Sequence, residues 1–386
     1  MKISSSNSNI YFSRNINFID AHVHDKPFSR LGKNAVADDI LKFMTPISVG
    51  EDTFIPQKLF PSSLDCCFYT NGKPYANEIV GNEQILKTFD GTIIDKFIAV
   101  CQPKTGNVDN IKQLFENHKD KFIGLKFHSN GAELAADSSL YDPYLDFAAK
   151  KGLPCLFHSD RTFDTIYQGA DGKKYPVLKS MFSRPEQIYS LAKRHPNVPV
   201  IMAHCGGAES KDINAAVEVL LKSIEKGDSK LYADISWVGI DDYVKGSSKR
   251  DMSKLVGIIK KLKNTSKGDM TERLLFGTDA PIDRFNSQNA KEIYKNYIDD
   301  IHSAIRDNFP NEADELTDKI FYENAKKLFF PQKQDVIAKK SMFAKKVPVI
   351  AVSLAAILGI VFLGFKLYKN LNSDKPVQEK KNVFIC

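Results

Sequence analysis

The residues best able to do chemistry are histidines, and their placement is uneven. Of the eight (22, 24, 118, 128, 158, 195, 204 and 302), five fall at or just past the end of a short apolar run: His22, His24, His128, His158 and His204. The first pair reads Asp20-Ala-His22-Val-His24. A spacing of two on an extended chain points both imidazoles to one side, so they can grip a single cation. Taken alone, the pair could equally be two polar loop residues. His158 ends LPCLFH, and His204 ends VPVIMAH ahead of Gly206 and Gly207, which permit close approach of backbone or ligand. Asp279 ends LLFGTD. A carboxylate closing an apolar run costs desolvation unless a cation or hydrogen-bond donors meet it, although an Asx turn before Pro281 would also account for it. Three histidines and one aspartate gathered on one rim satisfy a catalytic zinc-type site with an open position.

The elements that must position these residues follow from the hydrophobic pattern. Strand-like runs occur at 16–21, 64–69, 96–101, 122–127, 153–158, 198–204, 230–236 and 273–278. Amphipathic helical patterns follow most of them, at 107–118, 143–151, 185–195, 211–226, 249–263 and 287–307, and a further helix over 314–329 closes the unit. Parallel strands covered on both faces read as continuous apolar runs. Eight of them with interposed helices predict an α/β protein, a (β/α)8 TIM barrel, whose chemistry belongs at the C-terminal ends of the strands. Residues 25–62 are rich in loop and helix signals and read as an insertion over the first strand. A doubly wound sheet is the rival architecture, but no GxGxxG turn follows any run.

In this order the motifs DxHxH, GLKFH, PCLFH, MAHCGG, LFGTDAP and YENAKKLF make residues 16–330 resemble the amidohydrolase superfamily. The chain looks closest to the amidohydrolase-related branch that includes aminocarboxymuconate semialdehyde decarboxylase and the dicarboxylate lactonases. The resemblance implies that His22, His24, His158 and Asp279 bind a divalent metal, typically Zn2+. It also implies that His204 orients or deprotonates a water there, and that Asn324 is a structural residue of the closing helix. Binuclear members of the superfamily carry a carboxylated lysine on strand four. Lys126 occupies such a position, so two ions are expected if it is carboxylated; one ion is the favoured reading, with Lys126 and His128 facing substrate.

The expected reaction is hydrolysis of a C–N or C–O bond in a small substrate, a carboxylated one among the candidates, with His204 or Asp279 moving the proton. Arg161, Arg184 and Arg284 are candidates to clamp a carboxylate, and Trp237 is a candidate wall of the pocket. A non-oxidative decarboxylase using the same ligands is the alternative enzyme. A catalytically inactive, membrane-tethered barrel is the alternative from another class, opposed by every ligand position being filled.

The 386 residues carry a formal net charge of +7. Residues 331–386 hold ten lysines and three acids, which leaves 44 bases and 44 acids in residues 1–330. A neutral body argues against nucleic acid as a partner. The tail contains the one long apolar run, residues 347–365, 19 residues without a charge, flanked by Lys345, Lys346, Lys366 and Lys369. As a helix it would span about 28 Å, close to a bilayer's hydrocarbon core. The expected organisation is therefore a disordered lead (1–15), the barrel (16–330), a basic linker (331–346), a transmembrane helix (347–365) and a short basic tail (366–386). The lead has no apolar segment of signal-peptide type, so the catalytic domain is expected on the cytoplasmic side of a C-terminal anchor. The six cysteines show no CxxC pair or disulfide-dense spacing, in keeping with a reducing compartment. Self-association is left open.

Overall fold

A computed structural model describes residues 13–25, 36–67, 69–70, 73–159, 165–168, 174–177, 179–207, 210–239, 251–280 and 290–331. Chain contacts divide the protein after Phe330, and the first unit is described here. Its eight principal strands are β1 (Asn15–His24), β2 (Asp52–Ser62), β3 (Phe97–Val100), β4 (Phe122–Phe127), β5 (Cys155–Phe157), β6 (Pro199–Met202), β7 (Lys230–Asp234) and β8 (Leu274–Leu275). β1 pairs parallel with β2, and β3 through β8 form one parallel sheet in chain order. β2 packs beside β3. The segment after β8 returns to β1, where Ala21 N–H donates to Phe276 O (3.1 Å), Asp279 N–H to His22 O (2.7 Å) and His24 N–H to Ala280 O (2.7 Å). The strands thus close into the (β/α)8 barrel.

The helices are α1 (Val36–Phe43), α2 (Glu78–Thr88), α3 (Val108–Asn117), α4 (Asp142–Lys151), α5 (Pro185–Arg194), α6 (Ser210–Lys226), α7 (Ser253–Lys263) and α8 (Ala290–Asn308). Their starts are written locally. Asn77 and Asn107 cap α2 and α3 by accepting from first-turn amides, while Pro143 and Pro185 occupy first turns where no N–H is needed. The predicted closing helix is present as α9 (Ala313–Asp318) and α10 (Asn324–Phe329), joined by a π-turn.

Two apolar layers result. Most buried residues lie between strands and helices. A smaller set, including Ile19, Ala21, Ile98, Leu156, Ile201 and Leu275, clusters with Phe60 and Phe329. Along β1, Ile16 and Phe18 join the outer layer and Ile19 and Ala21 the inner one, and the alternation breaks at Val23, which returns to the outer layer past an irregularity in the pairing with β2. Phe329 of the closing helix packs on Phe60 with ring centroids 4.9 Å apart, so this helix stoppers the inner layer. Asn324 fixes it by donating from Nδ2 to Thr271 O and Leu274 O.

The second strand differs from expectation. It is 52–62, within the stretch read as an insertion, whereas 64–67 is a turn closed by Cys67 N–H to Leu64 O (2.9 Å). Pro56, Gln57 and Lys58 interrupt its apolar pattern because that part of the strand is only half covered: Gln57 bonds Asn17 and Lys58 pairs with Asp95. The lead expected over 1–15 also overlaps described structure at its end, since Asn15 opens β1 and Arg14 pairs with Asp314 and Asp318 at 2.7 Å each. Five cysteines (66, 67, 101, 155 and 205) are buried and free. No helix among the described residues is long and apolar enough to cross a membrane. The predicted span, 347–365, lies outside the described residues, as do the remainder of the tail and residues 1–12.

Candidate metal centre

The end of β1 delivers His22 and His24, and the turn after β8 delivers Asp279. His22 Nε2 and His24 Nε2 lie 3.2 Å apart, and Asp279 Oδ1 lies 3.0 Å from the first and 3.1 Å from the second. Three basic atoms brought this close need a shared proton or a cation between them. Two imidazole nitrogens and a carboxylate oxygen are a donor set suited to zinc and neighbouring first-row ions, so the residues fit the expected metal.

The other ring nitrogen of each histidine is engaged. His22 Nδ1 faces Asp234 Oδ2 at 3.0 Å, and His24 Nδ1 faces Ser62 Oγ at 3.0 Å. A histidine that gives its Nδ1–H to an outer partner presents the Nε2 lone pair to a metal. Asp234 also accepts from the backbone N–H of His204 and of Ser236, at 3.0 Å each. Neither Asp234 nor Ser236 was singled out by the motifs. The available signal was an acid inside the apolar run KLYADIS, where a buried carboxylate needs donors. Asp20 is a further buried acid: it accepts from Thr278 Oγ1 (2.6 Å), Tyr294 OH (2.9 Å) and the backbone of His22 and Thr278. Burial pushes its carboxyl up to about 7 despite those donors.

His204 faces the trio from the end of β6. Its Nδ1 is 2.8 Å from Ser236 Oγ, its Nε2 is 3.3 Å from His158 Nδ1 and 3.9 Å from Asp279 Oδ2. Ser236 Oγ in turn donates to Asp234, so Ser236 accepts from His204 Nδ1–H and leaves Nε2 as the basic atom. His204 and Cys205 both hold positive φ (60° and 44°). Gly206 completes the turn at φ 90°, where a Cβ would stand 2.4 Å from Asp212 O.

His158 is brought to the centre through His204 and does not join the His22–His24–Asp279 group. His128 stacks on it, ring centroids 4.0 Å apart, and accepts from Gly131 N–H at Nδ1 (3.0 Å). That bond leaves the proton of a neutral His128 on Nε2. Lys126 is fully buried on β4 with Nζ 2.8 Å from His22 Nε2. Trp237 follows β7 and donates from Nε1 to Asp279 Oδ2 at 2.7 Å. Arg184 stands at the start of α5, where its backbone N–H donates to Gln187 Oε1 in a capping box, a helix-starting role. Arg161 and Arg284 lie outside the described residues.

Burial dominates the electrostatics of the histidines. It lowers His24 to about 4 and His204 to about 3, and it depresses His128 and His158 well below the usual imidazole range. His22 is the exception. Burial and Lys126 oppose its charge, but Asp279 and Asp234 outweigh them and raise it. Burial likewise opposes the ionised form of Asp234 and Asp279. The His22 and His204 imidazoles nonetheless hold Asp279 well below the carboxylate range and help bring Asp234 to about 2. Burial lowers Lys126.

A family model described as amidohydrolase matches residues 83–330. No curated protein matches the chain. Among solved structures the chain is similar to a zinc-bound amidohydrolase from Burkholderia multivorans, at 10% identity and a TM-score of 0.48, covering 81% of this chain and 98% of that one. It is also similar to 5-carboxyvanillate decarboxylase from Sphingomonas paucimobilis, at 11% identity and a TM-score of 0.47, covering 81% and 99%. The family match spans more than half of the sequence and reaches the last helix of the barrel, and on that ground the chain belongs to the amidohydrolase family.

Proposed function

We propose that this chain is a metal-dependent hydrolase that cleaves a C–N or C–O bond of a small, carboxylated substrate. The observation that carries the reading is the convergence of His22 Nε2, His24 Nε2 and Asp279 Oδ1 within 3.2 Å of one another, with His204 Nε2 facing them. His22, His24 and Asp279 would hold one divalent ion, most simply Zn2+, and His158 is the candidate fourth ligand. When bound, such an ion acidifies water and polarises a substrate oxygen.

The protein's own part of the chemistry is proton handling and orientation. Burial keeps His204 neutral, and Ser236 fixes its tautomer so that Nε2 is the acceptor. His204 Nε2 takes the proton of the attacking water and returns it to the leaving group. Asp234, reached directly by His22 and through Ser236 by His204, keeps both rings in register. His128 offers Nε2–H as a donor to a substrate oxygen. Lys126, with Nζ 2.8 Å from His22 Nε2, faces the same centre and is the candidate partner for a substrate carboxylate.

A tether through residues 347–365 belongs to the same reading and rests on the uncharged apolar run with its flanking lysines. The test of function is to load the full-length chain with Zn2+ and assay lactones and amides of small carboxylic acids alongside carboxylated aromatics. Ring opening or amide cleavage that is lost in His204→Ala supports the hydrolase. Release of CO2 without hydrolysis assigns the decarboxylase instead, and turnover of neither class refutes the proposal.

A further inference from the structure

Trp237 has two features that pocket-wall packing does not require. Its backbone is left-handed (φ 62°), a conformation that costs free energy in a residue with a Cβ. Its indole N–H donates to Asp279 Oδ2, at 2.7 Å. Asp279 is itself left-handed (φ 58°) and pinned by its N–H to His22 O. The two oxygens of this carboxylate therefore have different neighbours: Oδ1 faces the paired imidazoles, and Oδ2 is held by the indole on the side of His204.

We infer that Trp237 is a positioning residue that restrains Asp279 to bind the metal through Oδ1 alone, by holding Oδ2 with its indole N–H. The inference rests on the metal-centre reading above and adds to it the coordination mode of the carboxylate. A carboxylate without that restraint can rotate about its terminal bond and offer both oxygens to one ion, raising the coordination number and closing the open position that a reacting molecule needs. Outer partners that orient a ligand commonly govern metal affinity by about 10–100-fold. The ring also approaches His204 edge-on, with centroids 6.2 Å apart, so the residue that holds the ligand also borders the base.

The chain contains one tryptophan, which makes the test direct. The metal-free full-length protein is titrated with Zn2+ while intrinsic fluorescence and equilibrium dialysis are followed in parallel. Because Asp279 is both the indole's partner and a metal ligand, emission should change saturably with the same midpoint as binding; emission that stays constant through a full equivalent of bound Zn2+ overturns the inference. In Trp237→Phe, Zn2+ affinity should fall about tenfold or more. The visible spectrum of bound Co2+ should weaken as coordination number rises, and kcat should fall more than KM rises. Wild-type affinity together with a wild-type Co2+ spectrum in the variant overturns the positioning role and leaves the metal centre standing. A wild-type chain that binds neither Zn2+ nor Co2+ overturns both. Should the variant fail to fold, the wild-type fluorescence titration decides by itself.

Discussion

Asp234 Oδ2 lies 3.0 Å from His22 Nδ1, and Asp234 Oδ1 accepts from the backbone N–H of His204. One carboxylate on β7 thereby sets the orientation of a candidate ligand from β1 and of the candidate base from β6.

Replacing Asp234 by Ala should consequently weaken Zn2+ binding by about 10–100-fold and lower kcat in the same variant. Equilibrium dialysis and steady-state assays check this. Zn2+ affinity equal to that of the wild type would remove Asp234 from the site.

The His22→Ala, His24→Ala double variant should bind no zinc, where the wild-type chain binds one equivalent. Metal analysis on dialysed protein gives the count. Two equivalents in the wild type would contradict the single-ion reading and point to a carboxylated Lys126.

Asn324 satisfies two backbone carbonyls with one amide. Asn324→Ala removes both of these hydrogen bonds, leaving Thr271 O with the Leu274 N–H alone, and should cost about 1–3 kcal/mol. Urea unfolding should record the loss, while zinc stoichiometry stays at the wild-type value.

His302 is buried against Asp52, 2.9 Å from Nε2 to Oδ2, well away from the metal centre. Burial lowers its pKa below the ordinary imidazole value in spite of Asp52. The unfolded chain therefore binds more protons than the folded one just below pH 6.5, and stability rises with pH there. The stability difference between wild type and His302→Gln should shrink as pH falls from 7 towards 5. Melting curves at stepped pH test it; a difference that grows on acidification contradicts the assignment.

Ile357→Arg with Leu358→Arg places two charges at the centre of the apolar run. Full-length wild type should partition with membranes through alkaline washing, and the double variant should wash off. Equal partitioning of the two would exclude a tether at 347–365.

Seven of the eight barrel strands were legible because they are buried on both faces, and their apolar runs need no partner to be recognised. β2 escaped because its middle is half covered and accepts Gln57 and Lys58. His22, His24 and Asp279 were legible as polar residues ending apolar runs. Asp234 and Ser236 were hidden inside a run that looks like any other strand, since what marks them is a partner more than 200 residues upstream. Arg184 is the N-cap of α5, where its backbone N–H takes part in the capping box, and that position leaves the role of its guanidinium open.

The seam between β8 and β1 is stitched by the candidate site itself, through Asp279 N–H to His22 O and His24 N–H to Ala280 O. His22 and Asp279 are more than 250 residues apart in the chain. Contacts of that separation form late, after the loop-closure entropy of everything between them has been met. During synthesis the first strand leaves the ribosome early and waits with its histidines unmated until the eighth arrives. With His22, His24 and Asp279 as the proposed ligands, competence to hold a metal becomes a certificate of completion: a product ending before Asp279 lacks one of the three, and a chain that uses all three has joined its eighth strand to its first.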